Sequence, residues 1–344
     1  MAKVNFEDLS GSSTPVTANP FDGLINACHG DPKLIQERYA THRTTRNAQQ
    51  REKILSDDFK GWILDEHLVK LDGPRKDLSY IDPRHCLVFW GRPPQRVKTL
   101  VDVIQSKLKD AAPGMLPESY RVRATHHTDL WLMPLDNLHM TVMEVAHSKT
   151  ESEITDLMNT LKDHCKSIAD HTSSHRARLV KPLLSYDSAA LALSFVPAAW
   201  ESPSNGRTAD DDRYTYHHLR RDTYATITDS GIQVGSRYVV PSAHLTIARF
   251  NSPNVFGGDP LDESVTLDIK KRKRWIGELE MINKWLEAEY WPQEGHLIMP
   301  GGEWVVGEEK GLDFRNGTLW YGGGATIYLG EGFVYGDTPA AKIS

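Results

Sequence analysis

Polar and apolar residues alternate with period two in two short stretches, Asn137-Leu138-His139-Met140-Thr141-Val142 and Ser242-Ala243-His244-Leu245-Thr246-Ile247. Such alternation marks a half-buried strand. Side chains two apart on a strand share a face. Leu138, Met140 and Val142 are therefore expected to enter a core, while His139 and Thr141 face the other way. The second stretch repeats this, with Ala243, Leu245 and Ile247 inward and His244 and Thr246 outward. Each strand offers one imidazole and one hydroxyl from its polar face.

The pattern around these strands is itself repeated. In the first half an apolar run at 86–90 predicts a strand, and Val97, Leu100, Val101, Ile104 and Leu108 fall at helical spacing. The His139 strand follows, then a helix carried by Ile154, Leu157, Met158, Leu161, Cys165 and Ile168. The second half predicts a strand over 191–196, a helix over 216–227, the His244 strand, and a helix carried by Trp275, Ile276, Leu279, Ile282 and Leu286. From Phe89 to His139 is 50 positions, and from Leu193 to His244 is 51. The same order at nearly the same spacing predicts two similar halves that bring the histidines together across a pseudo-twofold cleft. His-x-Thr also occurs at His42-Arg43-Thr44 and His126-His127-Thr128, but without alternation, and those two are set aside.

At these residues the chain resembles the 2H phosphoesterase superfamily, which includes the 2′-5′ RNA ligase-like proteins and the cyclic phosphodiesterases. The resemblance spans residues 82–330. It rests on the two His-x-Thr strands and on the helix over 216–227 leading through Arg237-Tyr238 into Pro241-Ser242-Ala243-His244. It implies an α+β fold, duplicated and two-lobed, with antiparallel sheets forming a central cleft and helices outside. It also implies a phosphodiester chemistry without metal or other cofactor, on nucleoside 2′,3′-cyclic phosphates, ADP-ribose 1″,2″-cyclic phosphate, 2′-5′-linked oligonucleotides or RNA 3′ ends.

That chemistry suits two opposed histidines. Phosphodiester cleavage needs a base for the attacking hydroxyl or water and an acid for the leaving oxygen. An imidazole pKa near 6.5 allows one ring to be neutral and the other charged. The hydroxyls of Thr141 and Thr246 are placed to donate to phosphate oxygens as charge develops. For opening a cyclic phosphate, His244 is taken as base and His139 as acid. A hydrolase of small cyclic nucleotides or RNA termini is the expected activity. A non-catalytic nucleotide- or RNA-binding module of the same fold, or a subunit of an RNA-processing assembly, is the alternative.

Composition narrows the partners. A net charge of −6 disfavours sequence-independent binding of long RNA, which depends on cations. The three cysteines support neither a disulfide framework nor a zinc site. No secretory signal or membrane-spanning run is evident, so the chain is expected to be a soluble, cytoplasmic monomer. The cationic run Lys270-Lys271-Arg272-Lys273-Arg274 leaves nuclear import or RNA contact open beside the plainer reading, the solvated start of a helix.

Two domains are expected, an extension over 1–80 and a catalytic unit over 81–335. Residues 1–20 are Ser/Thr/Pro-rich, and helical pieces are expected over 21–28, 32–39, 48–55 and 59–68. The extension would cover an edge of the catalytic core, with Arg38, Tyr39, His42, Arg43 and Arg46 able to meet phosphate. His126-His127 and His217-His218 read as solvent-exposed pairs, and 201–213, with its three aspartates, as a polar surface insertion. A Gly/Pro-rich link is expected over 251–269. Near the C-terminus short β runs are expected at 303–307, 318–321 and 325–329. Gly322-Gly323-Gly324 would then turn the chain beside the cleft, with Trp320 and Tyr321 as substrate-binding walls. Arg249 lies opposite His244 in strict alternation and is left out of the site.

Overall fold

The two histidine strands lie side by side at the middle of one curled antiparallel sheet, seen in a computed structural model that describes residues 7–12, 17–72, 76–111, 130–201, 209–251 and 269–333. The strands are β1 (His85–Gly91), β2 (Leu130–Leu132), β3 (Met140–Lys149), β4 (Arg178–Tyr186), β5 (Ala190–Pro197), β6 (Ala243–Phe250), β7 (Glu303–Val305), β8 (Lys310–Gly317) and β9 (Ala325–Glu331). Their order is β7-β4-β5-β6-β3-β1-β8-β9, with β2 also on β6. Leu138, Met140, Val142, Ala243, Leu245 and Ile247 are all buried, whereas His139, Thr141, His244 and Thr246 are half-buried. The two sheets expected from sequence are a single one. Among the described residues, the β3–β6 seam is one residue pair, Met140 with Leu245.

A seam that thin needs support from outside the ladder. It comes from α7 (Tyr216–Asp229), one of eight helices among the described residues. The Tyr216 hydroxyl donates to the Thr141 carbonyl (3.2 Å), and the buried Arg220 donates to Val142 O (3.3 Å) and Val240 O (2.9 Å). The other helices are α1 (Asp22–Ala27), α2 (Pro32–Leu55), α3 (Glu66–Asp72), α4 (Gln95–Ala111), α5 (Glu151–Leu161), α6 (Cys165–Ala169) and α8 (Ile269–Tyr290). Start signals are clear where the sequence supplies them. Asp31 caps α2 with Pro32 in its first turn, and Thr150 with Glu153 forms a capping box on α5.

Two pieces expected at 32–39 and 48–55 are one helix, α2. Its middle is polar because those residues bond to the sheet rather than fill a core. Arg43 donates to Lys181 O (2.7 Å) and Asn47 to Leu184 O (3.0 Å). The piece expected at 59–68 is a helix only from Glu66, and Trp62 instead stacks on Phe250 at 4.1 Å. Phe21, Ile35, Tyr39, Ile54 and Trp62 share the main core with the sheet. Arg272, inside the cationic run, is buried and donates to Ser56 O (2.8 Å), past the end of α2. His126-His127, most of the 251–269 link and parts of the Ser/Thr/Pro-rich start lie outside the described residues.

Other departures have local causes. Pro182 concealed β4, since proline disfavours ladder pairing. It sits at an irregularity between Val180 and Leu183, beside Lys181 with φ 56°. The insertion at 201–213 is not all surface, because Asp212 is buried against Arg178 at 2.7 Å. Residues 318–321 form no strand but lead into a tight turn at Trp320–Gly322.

The His217-His218 pair is not solvent-exposed. His218 is half-buried and caps α7 through Thr215, and His217 is 1% exposed. The Phe21 carbonyl can only accept, so His217 donates Nε2–H to it (3.1 Å) and Nδ1 accepts the Tyr39 hydroxyl (2.9 Å). Burial, with the Arg220 charge added, pushes its pKa down to about 3. Unfolded chains take up this proton near pH 6.5, and the folded chain does not. His217 therefore favours the unfolded state increasingly as pH falls from about 6.5 towards 3. Urea midpoints are expected to drop between pH 7 and pH 5, before the carboxylates titrate. A flat profile over that interval would refute the buried neutral assignment.

Candidate active site

Extending the Met140–Leu245 pair by one residue each way sets His139 across from Thr246 and Thr141 across from His244. The histidines are thus diagonal neighbours on one face, roughly 7–8 Å apart, with space for a phosphate between them. Both rings are anchored two residues back along the chain. His139 Nδ1 donates to Asn137 O (2.7 Å), and His244 Nδ1 meets the Ser242 hydroxyl (2.9 Å). Each Nε2 is left for a ligand. The His139 ring also stacks on Trp90, with centroids 3.7 Å apart and planes at 16°.

All six residues expected in the site from sequence line one cleft: His139, Thr141, His244, Thr246, Trp320 and Tyr321. The cleft offers about 630 Å³ of space, open solvent at its mouth included. Trp90 and Val88 of β1 also line it, and nothing in the sequence marked them for a cleft, because β1 is apolar on both faces. Arg237 is held by Glu144 (3.0 Å) and lies 4.9 Å over Trp320, whose ring also carries Arg84 at 4.4 Å. A sequence signal existed for Arg237, which sits in the loop feeding the His244 strand. None existed for Glu144, an acid buried on a strand. Among the described residues, no cluster of three or more His, Cys, Asp or Glu side chains suits a metal.

Arg249 belongs to the cleft, contrary to the expectation from alternation. Ala190 and Leu191 pair with Arg249 and Ala248, but Ala192 pairs with Thr246, so β6 carries an extra residue at Ile247. A bulge flips the side-chain parity beyond it. Arg249 then shares the face of His244 and Thr246. The bulged carbonyl is satisfied by Met133 N (2.9 Å) and by Gln105 of α4 (3.0 Å). Arg249 lies 3.9 Å from Asp65, and among the described residues its buried Nε has no hydrogen-bond partner.

The turn carrying Trp320 and Tyr321 also positions His139. Asn137 donates through Nδ2 to Tyr321 O (3.1 Å) while its carbonyl holds the His139 ring. Gly322 has φ 88°, and a Cβ there would overlap the Asn137 side chain. Gly322→Ala is expected to lower kcat about tenfold or more by displacing Asn137, and to cost about 1–3 kcal/mol of stability. Wild-type kcat in a folded Gly322→Ala protein would rule out this linkage.

Both imidazoles are less basic than a free one. Burial pushes His139 down to about 3, helped by Arg92, Arg315 and His244. Burial and the Arg46 charge push His244 down to about 4, with Asp187 opposing. Both rings line the cleft, and both are neutral near pH 7. An anion between them raises both values, since it favours the charged form.

No protein-family model matches the sequence, and no curated protein matches it. Among solved structures the chain is similar to a conserved protein of unknown function from Agrobacterium tumefaciens str. C58, at 14% identity and a TM-score of 0.39, over 79% of this chain and 99% of that one. It is also similar to Usb1 of Kluyveromyces marxianus, solved with uridine monophosphate, at 12% identity and a TM-score of 0.32, over 69% of this chain and 95% of that one. Neither likeness bears on the chemistry, which rests on the residues of the cleft.

Proposed function

We propose that the protein is a phosphodiesterase that opens cyclic phosphates without a metal, acting on nucleoside 2′,3′-cyclic phosphates or on the cyclic end of an RNA. His139 and His244 serve as its base and acid, and Thr141 and Thr246 donate to the phosphate, within a duplicated 2H-type catalytic unit over 81–335. The observation that carries this reading is the Met140–Leu245 register, which sets two His-Thr pairs on one face of one cleft.

The anchoring bonds support a division of labour. A carbonyl only accepts, so Asn137 O keeps the proton of neutral His139 on Nδ1 and turns the Nε2 lone pair outward. His139 is thereby the base. The Ser242 hydroxyl either donates or accepts, so it lets His244 carry Nε2–H in both its neutral form, with the hydroxyl donating to Nδ1, and its charged form, with the hydroxyl accepting. His244 is the acid, charged once a phosphate sits beside it. This reverses the assignment expected from sequence. His139 Nε2 takes a proton from water as the water oxygen bonds to phosphorus. The bond from phosphorus to a ribose oxygen breaks, and that oxygen takes the His244 proton. Solvent exchange then restores both rings.

Hydrolysis of the four nucleoside 2′,3′-cyclic phosphates in EDTA tests the reading, with a ribose monophosphate as the expected product. Inertness towards all four and towards RNA bearing a 2′,3′-cyclic end would remove it. Arg249 is assigned to the phosphate oxygens. Arg249→Ala is expected to lower kcat/KM about ten- to a hundredfold, with Arg249→Lys intermediate because it keeps charge but loses the fork. Unchanged kcat/KM in Arg249→Ala would take the residue out of the site.

A further inference from the structure

Beyond the histidines the cleft opens into a second compartment of about 1050 Å³ on the α2 side of β6. Tyr238, His244, Thr246 and Arg249 line both spaces. A ligand phosphate at the histidines therefore borders both spaces.

The two compartments differ in chemistry. Trp90, Trp320 and Tyr321 wall the first, with the His139 ring stacked on Trp90. The second is walled by Arg43, Arg46 and Arg249 against one carboxylate, Asp187, an excess of two positive charges. Arg43 is 5% exposed and donates to the carbonyls of Lys181 (2.7 Å) and Ser194 (3.4 Å), with its guanidinium 5.5 Å over Trp291. Among the described residues its Nε has no hydrogen-bond partner and no carboxylate forms an ion pair with it. Burial pushes its pKa down to about 9, the behaviour of a cation lacking a counter-ion, with only Glu287 opposing. Arg46 is oriented by Asp187 at 2.7 Å through one of its five N–H groups. It lines the same compartment as His244.

We propose that this compartment is a second-phosphate site. The substrate carries a further phosphate beyond the scissile one, as the last internal linkage of an oligonucleotide end does, and Arg46 is the residue that selects for it. The inference rests on the phosphodiesterase reading and narrows its substrate to RNA termini rather than free cyclic nucleotides. Arg46 presents its remaining donors to the second phosphate, while buried Arg43 adds a fixed positive field that water screens little.

The test separates charge from size. Calorimetry on the full chain compares uridine 3′-monophosphate, the dinucleotide UpUp, and UpUp whose internal linkage is an uncharged methylphosphonate. UpUp is expected to bind about ten- to a hundredfold more tightly than either other ligand. In Arg46→Ala and Arg46→Gln, with melting temperatures confirming the fold, the ratio of UpUp to uridine 3′-monophosphate affinity is expected to fall to about one. Equal binding of the methylphosphonate and UpUp, an unchanged ratio in both variants, or no binding of UpUp would overturn the proposal. Turnover of cyclic-ended substrates is scored separately. A charge-dependent advantage without turnover would sink the phosphodiesterase reading alone, and turnover without that advantage would sink the second-phosphate site alone.

Discussion

Replacing either cleft histidine with alanine is expected to slow the opening of a nucleoside 2′,3′-cyclic phosphate in EDTA by a factor of about 10²–10⁴. Each ring carries one proton transfer, and neither neighbour can substitute, since Thr141 and Thr246 do not titrate in this range. The two losses are not expected to multiply in the double variant, because groups acting in one step fail together. The substitutions differ, however, when the leaving group is acidic enough to depart unprotonated. With a nitrophenyl phosphodiester, His244→Ala is expected to recover most of its activity, because the acid is no longer needed. His139→Ala is expected to stay slow, because the base still is. Equal activity of wild type and both variants on the cyclic phosphate would dismiss the two-histidine site. Recovery by His139→Ala instead would exchange the two roles while leaving the site intact.

The central strands were legible because one face meets a core and the other meets the cleft, which writes period two directly into the sequence. Leu138, Met140 and Val142 alternate with His139 and Thr141, and the burial follows that alternation. What alternation does not encode is which strand lies beside which. Two lobes were expected, and the seam is instead a direct pairing of the two histidine strands. Nor does alternation survive a bulge. The extra residue at Ile247 is stabilised by Gln105, 142 positions away in sequence, so nothing local marked it, and Arg249 was set on the wrong face. Trp90 was hidden for the opposite reason. An apolar residue on a strand with two apolar faces gives no sign that one face is a cleft. The middle of α2 reads as polar surface, yet Arg43 and Asn47 spend their donors on carbonyls of β4.

Arg220 and its neighbour Arg221 contrast a buried with a half-buried charge, and their alanine variants are expected to part accordingly. Arg221 is 32% exposed and pairs with Asp222 at 2.7 Å. A pair with this much solvent access contributes about 0–1 kcal/mol. Arg220 is 1% exposed, donates to the carbonyls of Val142 and Val240, and lies 4.4 Å over the Phe21 ring. Its removal leaves two buried carbonyls unpaired at about 1–3 kcal/mol each, and forfeits the ring contact as well. A loss of about 3–5 kcal/mol in urea denaturation is therefore expected for Arg220→Ala, against less than about 1 for Arg221→Ala. The same bonds tie β3 to the segment entering β6, so activity is expected to fall in Arg220→Ala even under conditions where the chain stays folded. Thr141 and His244 face each other across that seam, and without Arg220 the Met140–Leu245 pair, the Tyr216 hydroxyl bond and the Glu144–Arg237 pair are left to hold their register. Similar losses for the two variants would mean that the seam is held by the core behind it rather than by α7.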